Sequence, residues 1–464
     1  KSGKNRFESE KKVLAFFSPY WHLFLIGLLC TVGITYIQVW FINLLEEVVN
    51  IAASVEPGSL AATALSILGI HLIKWILAYG QTYTIASATQ RISLNLRDQL
   101  FAHLNRLSLS YFERTKVGHL MSRMTNDVSL IQNSAHSIIS FVSAPLTIVV
   151  LTVCIFVWNW KLALLSLVAL PLMSYAITRI GRGIRGLSDM VQVRLADVAA
   201  ILQETLSAMR IVKSFATEDF ETEKFAAENK KVYRASMKAV RRSAAMSPTV
   251  EYIGIAGIAI VLWVGGEMVV SNSMPGFQIG ALVKFLVALE RIAHSARDVA
   301  RLSVTYHQTM AGAQRVLDVL DELPEISDKP DAPPMPPIVG RIEFRDVVFS
   351  YNESERVLDG VSFSVEPGQQ VALVGPSGAG KSTIANLVPR LYDVSEGAVM
   401  IDGVDVRDVS LCSLRIQIAI VPQDTILFST SIRENIAYGR MDATEDEIVQ
   451  AAMDANAHSF IERL

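Results

Sequence analysis

Nine consecutive residues from Gly375 to Thr383, GPSGAGKST, fill every fixed position of the pattern GxxxxGK followed by Ser or Thr. Gly375, Gly378 and Gly380 open backbone conformations closed to residues with a Cβ, so successive amide N–H groups can converge on phosphate oxygens at the start of a helix. Lys381 adds a point positive charge, and Ser382 is placed to set its hydroxyl on a magnesium ion that bridges the outer phosphates. The chemistry of such a loop is the holding of a nucleoside triphosphate. The expected contact set is Gly375, Ser377, Gly378, Ala379, Gly380, Lys381, Ser382 and Thr383. The apolar run Gln370 to Val374 reads as a buried strand delivering the loop, and Lys381 to Leu391 as the helix that follows, the order this loop requires.

The chain around the loop has 464 residues, 51% hydrophobic and 19% charged, with mean hydropathy +0.35. That is too apolar and too long for one ordinary soluble domain, so a membrane region is expected. The apolar stretches lie almost entirely before residue 290 while the loop sits in a more polar C-terminal part, which places the two in separate domains. A net charge of −3 argues against a general nucleic-acid surface. Cys30, Cys154 and Cys412 are far apart and read as small buried apolar residues without a structural disulfide. The first dozen residues are charged and the first apolar run is long enough to stay in a bilayer, so no cleavable leader is expected.

Six stretches are expected to cross, near residues 22–48, 60–86, 134–158, 160–180, 250–271 and 278–300. Each comes close to the roughly 20 apolar residues that cover a ~30 Å hydrocarbon layer. The third and fourth meet at Trp158, Asn159 and Trp160, a tight turn between two interfacial aromatics. Lys284, Glu290, Arg291 and Arg297 interrupt the sixth, which rests on the need for an even number of crossings. Lys and Arg number five in the first dozen residues, six from Arg91 to Asp127 and thirteen from Arg179 to Arg242. Residues 49–59 and 271–278 carry none, and Trp158 to Lys161 carry one. This asymmetry puts both termini and both long loops of a multi-pass protein in the cytoplasm.

The long loops keep apolar residues at helical spacing from Gln90 to Leu109 and from Arg182 to Ser214, so the membrane helices are expected to run on into the cytoplasm. Breaks are expected near Tyr111 to Gly118 and Ala216 to Phe225. A helical pattern reaches Leu323, after which Pro324, Pro330, Pro333, Pro334, Pro336 and Pro337 mark a linker. Residues 341–351 and 361–366 alternate like half-buried strands, and Glu366, Pro367 and Gly368 form a turn. The expected domains are residues 1–323 for the membrane part, 324–340 for the linker and 341–464 for the nucleotide part.

With these elements in place, further stretches carry a family resemblance. They are YFERTKVGHLMSRMTNDV from Tyr111, VKSFATEDFETEKF from Val212, VVFSYNESERVLDGVSFSVEPGQQVALVG from Val347 and IVPQDTILFSTSIRENIAYG from Ile420. Together with GPSGAGKST they make the whole chain resemble the bacterial homodimeric ABC exporters of the multidrug and lipid-flipping kind. The resemblance implies a membrane all-α domain of six transmembrane helices with long cytoplasmic extensions, joined to an α/β P-loop nucleotide-binding domain, here in part. It implies ATP and Mg2+ as cofactors, Tyr351 as the aromatic that stacks on adenine, and Gln423 as the glutamine that touches magnesium and positions the attacking water. Ser382 and Gln423 are the implied metal contacts, and Gln423 and Lys381 the implied catalytic residues. Tyr111 to Met121 and Ala216 to Phe225 resemble the coupling helices of that family.

The chain stops at Leu464, before the family's LSGGQ signature, second acidic strand end, catalytic glutamate and switch histidine. As given it is expected to bind ATP weakly and not to hydrolyse it. Val316 to Glu322 imitates an apolar strand ending in Asp-Glu, but it precedes the loop and has the spacing of a helix end. The expected activity of the complete protein is ATP-driven export or flipping of hydrophobic or amphipathic drugs or lipids by alternating access. Its expected partners are a second copy of itself, with a related chain as the alternative, the lipid bilayer and the hydrophobic substrate; nucleic acid is not one. A nucleotide-gated or membrane-anchored ATP-binding protein without turnover is the alternative function. His71, Lys74, Glu251, Glu267 and Lys284 are the ionisable residues in or near the spans; they face a polar cavity or else snorkel or pair with a neighbouring helix, and Lys74 lies deepest.

Overall fold

The computed structural model describes residues 11–12, 15–54, 57–167, 169–271, 278–352, 356–422 and 425–464. In chain order the helices up to residue 320 are α1 (Trp21–Ser54), α2 (Pro57–Leu104), α3 (Leu109–Arg114), α4 (Val117–Ser122), α5 (Val128–Trp158), α6 (Trp160–Leu167), α7 (Ala169–Ser207), α8 (Met209–Ser214), α9 (Glu218–Val270) and α10 (Ile279–Leu320). A π-helical stretch, Arg123–Asp127, joins α4 to α5. The chain divides into two compact units, Lys1–Leu96 with Val128–Ala313, and Arg97–Asp127 with Gln314–Leu464.

The first unit is helical because its sequence offers long apolar runs without the turn residues that would break them. Among the described residues four helical stretches, Ala15–Ala53, Leu60–Leu104, Ser140–Trp158 and Glu218–Val270, are long and apolar enough to cross a membrane. Their apolar residues point outward as well as inward. Leu65, Leu68, Trp75 and Trp263 are exposed while Ile42, Leu151 and Val261 are buried together, as expected of helices whose solvent is lipid. The stretch 160–180 is divided between α6 and α7 and passes through residue 168, outside the described residues. The stretch 278–300 lies within α10 and is not among the four, because its charges break the apolar window.

Lys284 in that stretch has partners within the unit. It pairs with Glu46 at 2.5 Å and sits 4.3 Å from the centre of the Trp158 ring, so its charge is neutralised inside the unit. At the turn between α5 and α6, buried Asn159 accepts the Leu162 N–H at 3.1 Å and caps the new helix.

The helices extend beyond the apolar stretches much as their spacing predicts: α2 runs to Leu104 and α7 to Ser207. The first break holds the two short helices α3 and α4. The second is tighter than the sequence suggests, with left-handed Ala216 (φ 51°) turning the chain and α9 already under way at Glu218. Three acidic residues, Glu218, Asp219 and Glu221, favour that start because they face the positive end of the helix dipole.

The second unit holds β1 (Ile342–Phe349), β2 (Leu358–Val365), α11 (Lys381–Leu387), β3 (Glu396–Ile401), β4 (Val404–Asp405), α12 (Leu411–Arg415), α13 (Ile432–Ala437), α14 (Glu445–Asp454) and α15 (His458–Ile461). The sheet is antiparallel in the order β2-β1-β3-β4, with Phe344 opposite Phe363 on one side and Val399 on the other. Phe344, Val347, Phe349, Leu387, Val399 and Leu414 form its core. Asp402 ties the chain entering β1 to the β3–β4 turn by accepting the N–H groups of Val339 at 2.6 Å, Gly340 at 3.1 Å and Arg341 at 2.8 Å.

Two expectations are corrected here. The run Gln370 to Val374 is not a strand, and Val371, Leu373 and Val374 are exposed. A central parallel strand is held by neighbours on both sides, and none of the four described strands pairs with this run. Of the cysteines, Cys412 is exposed and Cys30 and Cys154 are half-buried; all three are free thiols.

Candidate functional site

The turn that leads to the loop is built by its sequence. Pro367 and Gly368 occupy its centre, Gly368 at φ 76°, and the Gln369 N–H bonds the Glu366 carbonyl at 3.1 Å; Pro fixes the first φ and Gly supplies the positive second one. In the loop itself Gly378 (φ 86°) and Gly380 (φ 80°) take left-handed conformations. A Cβ on Gly380 would come within 2.7 Å of Leu358 Cδ2, so a side chain there would have to displace the Leu358 tip as well as strain the backbone. Residues 375–379 are exposed, and α11 begins directly after Gly380 with the Ile384 N–H bonded to the Gly380 carbonyl at 3.0 Å. The first N–H groups of such a helix have no carbonyl ahead of them and face the loop.

Lys381 folds back over the loop, donating to the carbonyls of Gly375 at 2.9 Å and Pro376 at 2.7 Å. Ser382 is exposed beside it, free of any steric bar to a ligand, while Thr383 is buried. Ser377 and Ala379 lie on the exposed crown of the loop. The structure thus gathers the sequence-predicted phosphate contacts in one place. A cluster of amide donors and one ammonium has the chemistry of an anion cradle, and an exposed serine hydroxyl at its edge suits a hard cation such as Mg2+. Gln423 lies outside the described residues.

Tyr351 reaches the same cradle from the end of β1. Its hydroxyl is 3.0 Å from Thr383 Oγ1, and its ring stands edge-on to Phe349 and to Tyr392, centroids 4.8 Å and 5.2 Å away. Tyr351 is 42% exposed, which leaves ring surface on which a planar base could stack. Tyr392 is a residue the sequence did not single out, and no spacing rule marks it. It is buried, and its hydroxyl has no well-formed hydrogen bond among the described residues. Burial pushes its phenol up, and the Glu113 carboxylate near it adds to that effect.

Beside these tyrosines is a cavity of about 350 Å3 whose walls include Ser110, Glu113, Arg114, Glu325, Tyr351 and Tyr392. The stretch around α3 belongs to this unit through several contacts. Ser108 Oγ accepts the Ile326 N–H at 2.9 Å, His103 Nε2 is 2.9 Å from the Glu322 carbonyl, and Glu325 bonds Ser110 and Arg114. The buried Asp127 carboxylate accepts two bonds from Arg315. The imitation strand Val316 to Leu320 is the end of α10, with Val316, Leu317 and Val319 buried.

In the first unit, a polar chamber of about 270 Å3 is lined by Thr35, Gln38, Gln81, Thr147, Arg291 and Asp298 among others. The Arg291 Nε is buried without a partner among the described residues, and Lys74 lies within electrostatic range of that guanidinium. Of the other ionisable candidates, His71 is 3.0 Å from the Ile67 carbonyl and stacks edge-on against Phe41, while Glu251 and Glu267 are exposed. Arg291 was visible in the sequence only as an interruption of an apolar stretch.

Residues 20–290 match the family model described as ABC transporter transmembrane region, and residues 358–464 match the one described as ABC transporter. The chain belongs to the ABC transporters. This transporter is similar to the ATP-dependent lipid A-core flippase of Syntrophus aciditrophicus, with 38% identity over 86% of this chain and 66% of that protein. It is similar also to the proteins of the same description from Desulfotalea psychrophila, 41% identical over 86% of this chain and 69% of that protein, and Aromatoleum aromaticum, 34% identical over 98% and 77%. The chain therefore spans about two thirds to three quarters of the length of these relatives. It combines a helical, multi-pass membrane-type domain with an ATP-binding domain of the same family.

Proposed function

We propose that this ABC transporter uses ATP with Mg2+ to flip an amphipathic lipid with an anionic headgroup across the cytoplasmic membrane, working as a homodimer by alternating access. In this reading residues 1–323 form the membrane domain, 324–340 the linker and 341–464 the nucleotide domain, with the termini and long loops cytoplasmic. Gly375, Ser377, Gly378, Ala379, Gly380, Lys381, Ser382 and Thr383 hold the phosphates, Ser382 and Gln423 the metal, Tyr351 the adenine, and Lys381 with Gln423 assists the chemistry. The relatives' description as lipid A-core flippases supports a lipid substrate. Within the polar chamber the Arg291 Nε is buried without a partner among the described residues, although Asp298 shares the wall, and such a guanidinium donor supports a headgroup that offers an anionic acceptor.

The observation that carries the reading is that residues 97–127 fold with the ATP-binding domain as one unit while α2 is one continuous helix through residue 96. A membrane tether has no use for such an arrangement. ATP shifts the conformational equilibrium to the extent that it makes contacts in one state and not in the other. The test is lipid flipping in proteoliposomes loaded with ATP: the wild type should translocate a fluorescent anionic lipid, and Lys381→Ala should fall to the rate seen without ATP. Undiminished flipping by Lys381→Ala would sink the reading.

A further inference from the structure

Three contacts hold the ring of Tyr351. Its hydroxyl lies 3.0 Å from Thr383 Oγ1, next to the phosphate loop's lysine and serine. Phe349, two residues earlier at the end of β1, and Tyr392 set their ring planes at 87° and 88° to its own. Phe349 and Tyr392 also meet each other, centroids 5.6 Å apart. The cavity of about 350 Å3 borders the same ring, so a Tyr351 that lost these contacts has room to turn away from the cradle.

Tyr392 follows α11, the helix that the phosphate loop opens, by way of a clamped turn. Arg390 sits at φ 51°, a left-handed conformation unfavourable for a residue with a Cβ, and such strain persists only where neighbours enforce it. The buried Arg390 guanidinium donates to the Asp393 carboxylate, Nε at 2.7 Å and Nη2 at 3.1 Å, and so closes a ring around Leu391 and Tyr392. From α12, Arg415 donates to the carbonyls of Pro389 at 3.0 Å and Arg390 at 2.6 Å. The Leu391 N–H bonds the Asn386 carbonyl of α11 at 3.0 Å. Tyr392 therefore presents its ring from a turn fixed to the helix of the phosphate loop. It fills the core with Leu387 and Val399, and its contact with the 42% exposed Tyr351 joins that rigid core to the open face of the site.

A planar base gains most from stacking on a ring that is already in place, because ordering that ring at the moment of binding subtracts from the affinity. We propose that Tyr392 is a positioning residue for the nucleobase: it holds Tyr351 in the setting that receives adenine, whereas the phosphates are held without it. The inference rests on the reading of Tyr351 as the adenine-stacking residue and adds a residue that acts on the base through Tyr351. The ring of Tyr392 does this, since its hydroxyl has no well-formed partner among the described residues.

The test compares two ligands on the purified transporter in neutral detergent, each titrated by calorimetry in the presence of Mg2+. One is the β,γ-imido analogue of ATP, which has a base and is not hydrolysed; the other is inorganic tripolyphosphate, which has no base. Tyr392→Leu should weaken the ATP analogue about fivefold, the scale of one lost aromatic pair, and leave tripolyphosphate unchanged. Tyr392→Phe should bind both as the wild type does. Equal weakening of both ligands by Tyr392→Leu overturns the proposal, because Tyr392 would then serve the core alone. Wild-type affinity for both overturns it too, because Tyr351 would then be set without Tyr392. Retained tripolyphosphate affinity also shows that the cradle of the variant is folded, and Tyr392→Met, whose flexible side chain fills more of the same space, gives the same readings where Tyr392→Leu does not fold. Tyr351→Leu separates this role from the reading beneath it and should weaken the ATP analogue at least as much as Tyr392→Leu. If Tyr351→Leu binds the analogue as the wild type does, adenine does not stack there and both readings fall. A weakened Tyr351→Leu beside an unchanged Tyr392→Leu overturns the positioning role alone.

Discussion

At the residue scale the nucleotide loop shows how one small side chain is dictated twice. Gly380 sits at φ 80° and its missing Cβ leaves room for Leu358. Gly380→Ala is therefore expected to cost about 1–2 kcal/mol in backbone strain alone, plus the displacement of Leu358. Because the strained residue opens α11, the loss should fall on the loop: equilibrium binding of a fluorescent ATP analogue should weaken at least about tenfold. Wild-type affinity would show that the loop tolerates a different path. Tyr392 gives the opposite kind of prediction. Its hydroxyl is buried without a well-formed bond among the described residues, and an unsatisfied buried hydroxyl costs about 1–3 kcal/mol. Tyr392→Phe should leave thermal stability unchanged or raise it by up to ~1 kcal/mol. A clear loss of stability would mean that the Glu113 carboxylate forms a strong bond to that hydroxyl.

At the element scale, two ion pairs hold the 97–127 stretch to the rest of its unit, and burial decides which matters more. Arg114 and Glu325 are both more than half exposed, whereas the Asp127 side chain is 7% exposed against Arg315. An exposed pair contributes up to about 1 kcal/mol, while removing the partner of a buried charge costs up to about 3–5 kcal/mol; the half-exposed Arg315 puts this case near the lower end. Arg315→Ala should therefore loosen the stretch far more than Glu325→Ala, as read by hydrogen exchange of residues 97–127. The weaker pair carries a pH signature. The Ser110 hydroxyl, and after it the Arg114 guanidinium, hold the Glu325 carboxyl below its ordinary range despite partial burial. A carboxyl depressed in the folded state contributes stability that is complete above its unfolded value, ~4.3, and is lost as pH falls through the native one. The exchange difference between wild type and Glu325→Gln should be constant from neutral pH down to about 5 and should close below about 4. A difference that persists at lower pH would remove the carboxylate from the explanation.

For the molecule as a whole, local sequence carried the helices, the loop and the two alternating strands, because each is decided by near neighbours: apolar runs, the GPSGAGKST spacing, the Pro-Gly turn. What the sequence could not show depends on distant partners. Gln370 to Val374 has the composition of a strand yet pairs with none of the described strands, and Tyr392 acquires its place only when β1 and α3 are brought to it. Lys284 is the clearest case. In the sequence it is a charge that spoils the sixth apolar stretch; in the fold Glu46, 238 positions away in the chain, neutralises it beneath Trp158. Two charges desolvated together are tolerable and either alone is not, so the pair itself, not the sign at each position, is what the membrane unit requires. Glu46→Gln and Lys284→Met should each reduce the yield of folded protein, whereas the double variant should recover it. The reversed pair Glu46→Lys with Lys284→Glu should recover less, since Trp158 would then face a carboxylate in place of an ammonium, losing about 1–2 kcal/mol of cation–π attraction. Folded yield from size-exclusion chromatography of the detergent-extracted protein measures this. If the double variant fares no better than the singles, the two side chains act independently and the pairing does not hold α1 to α10.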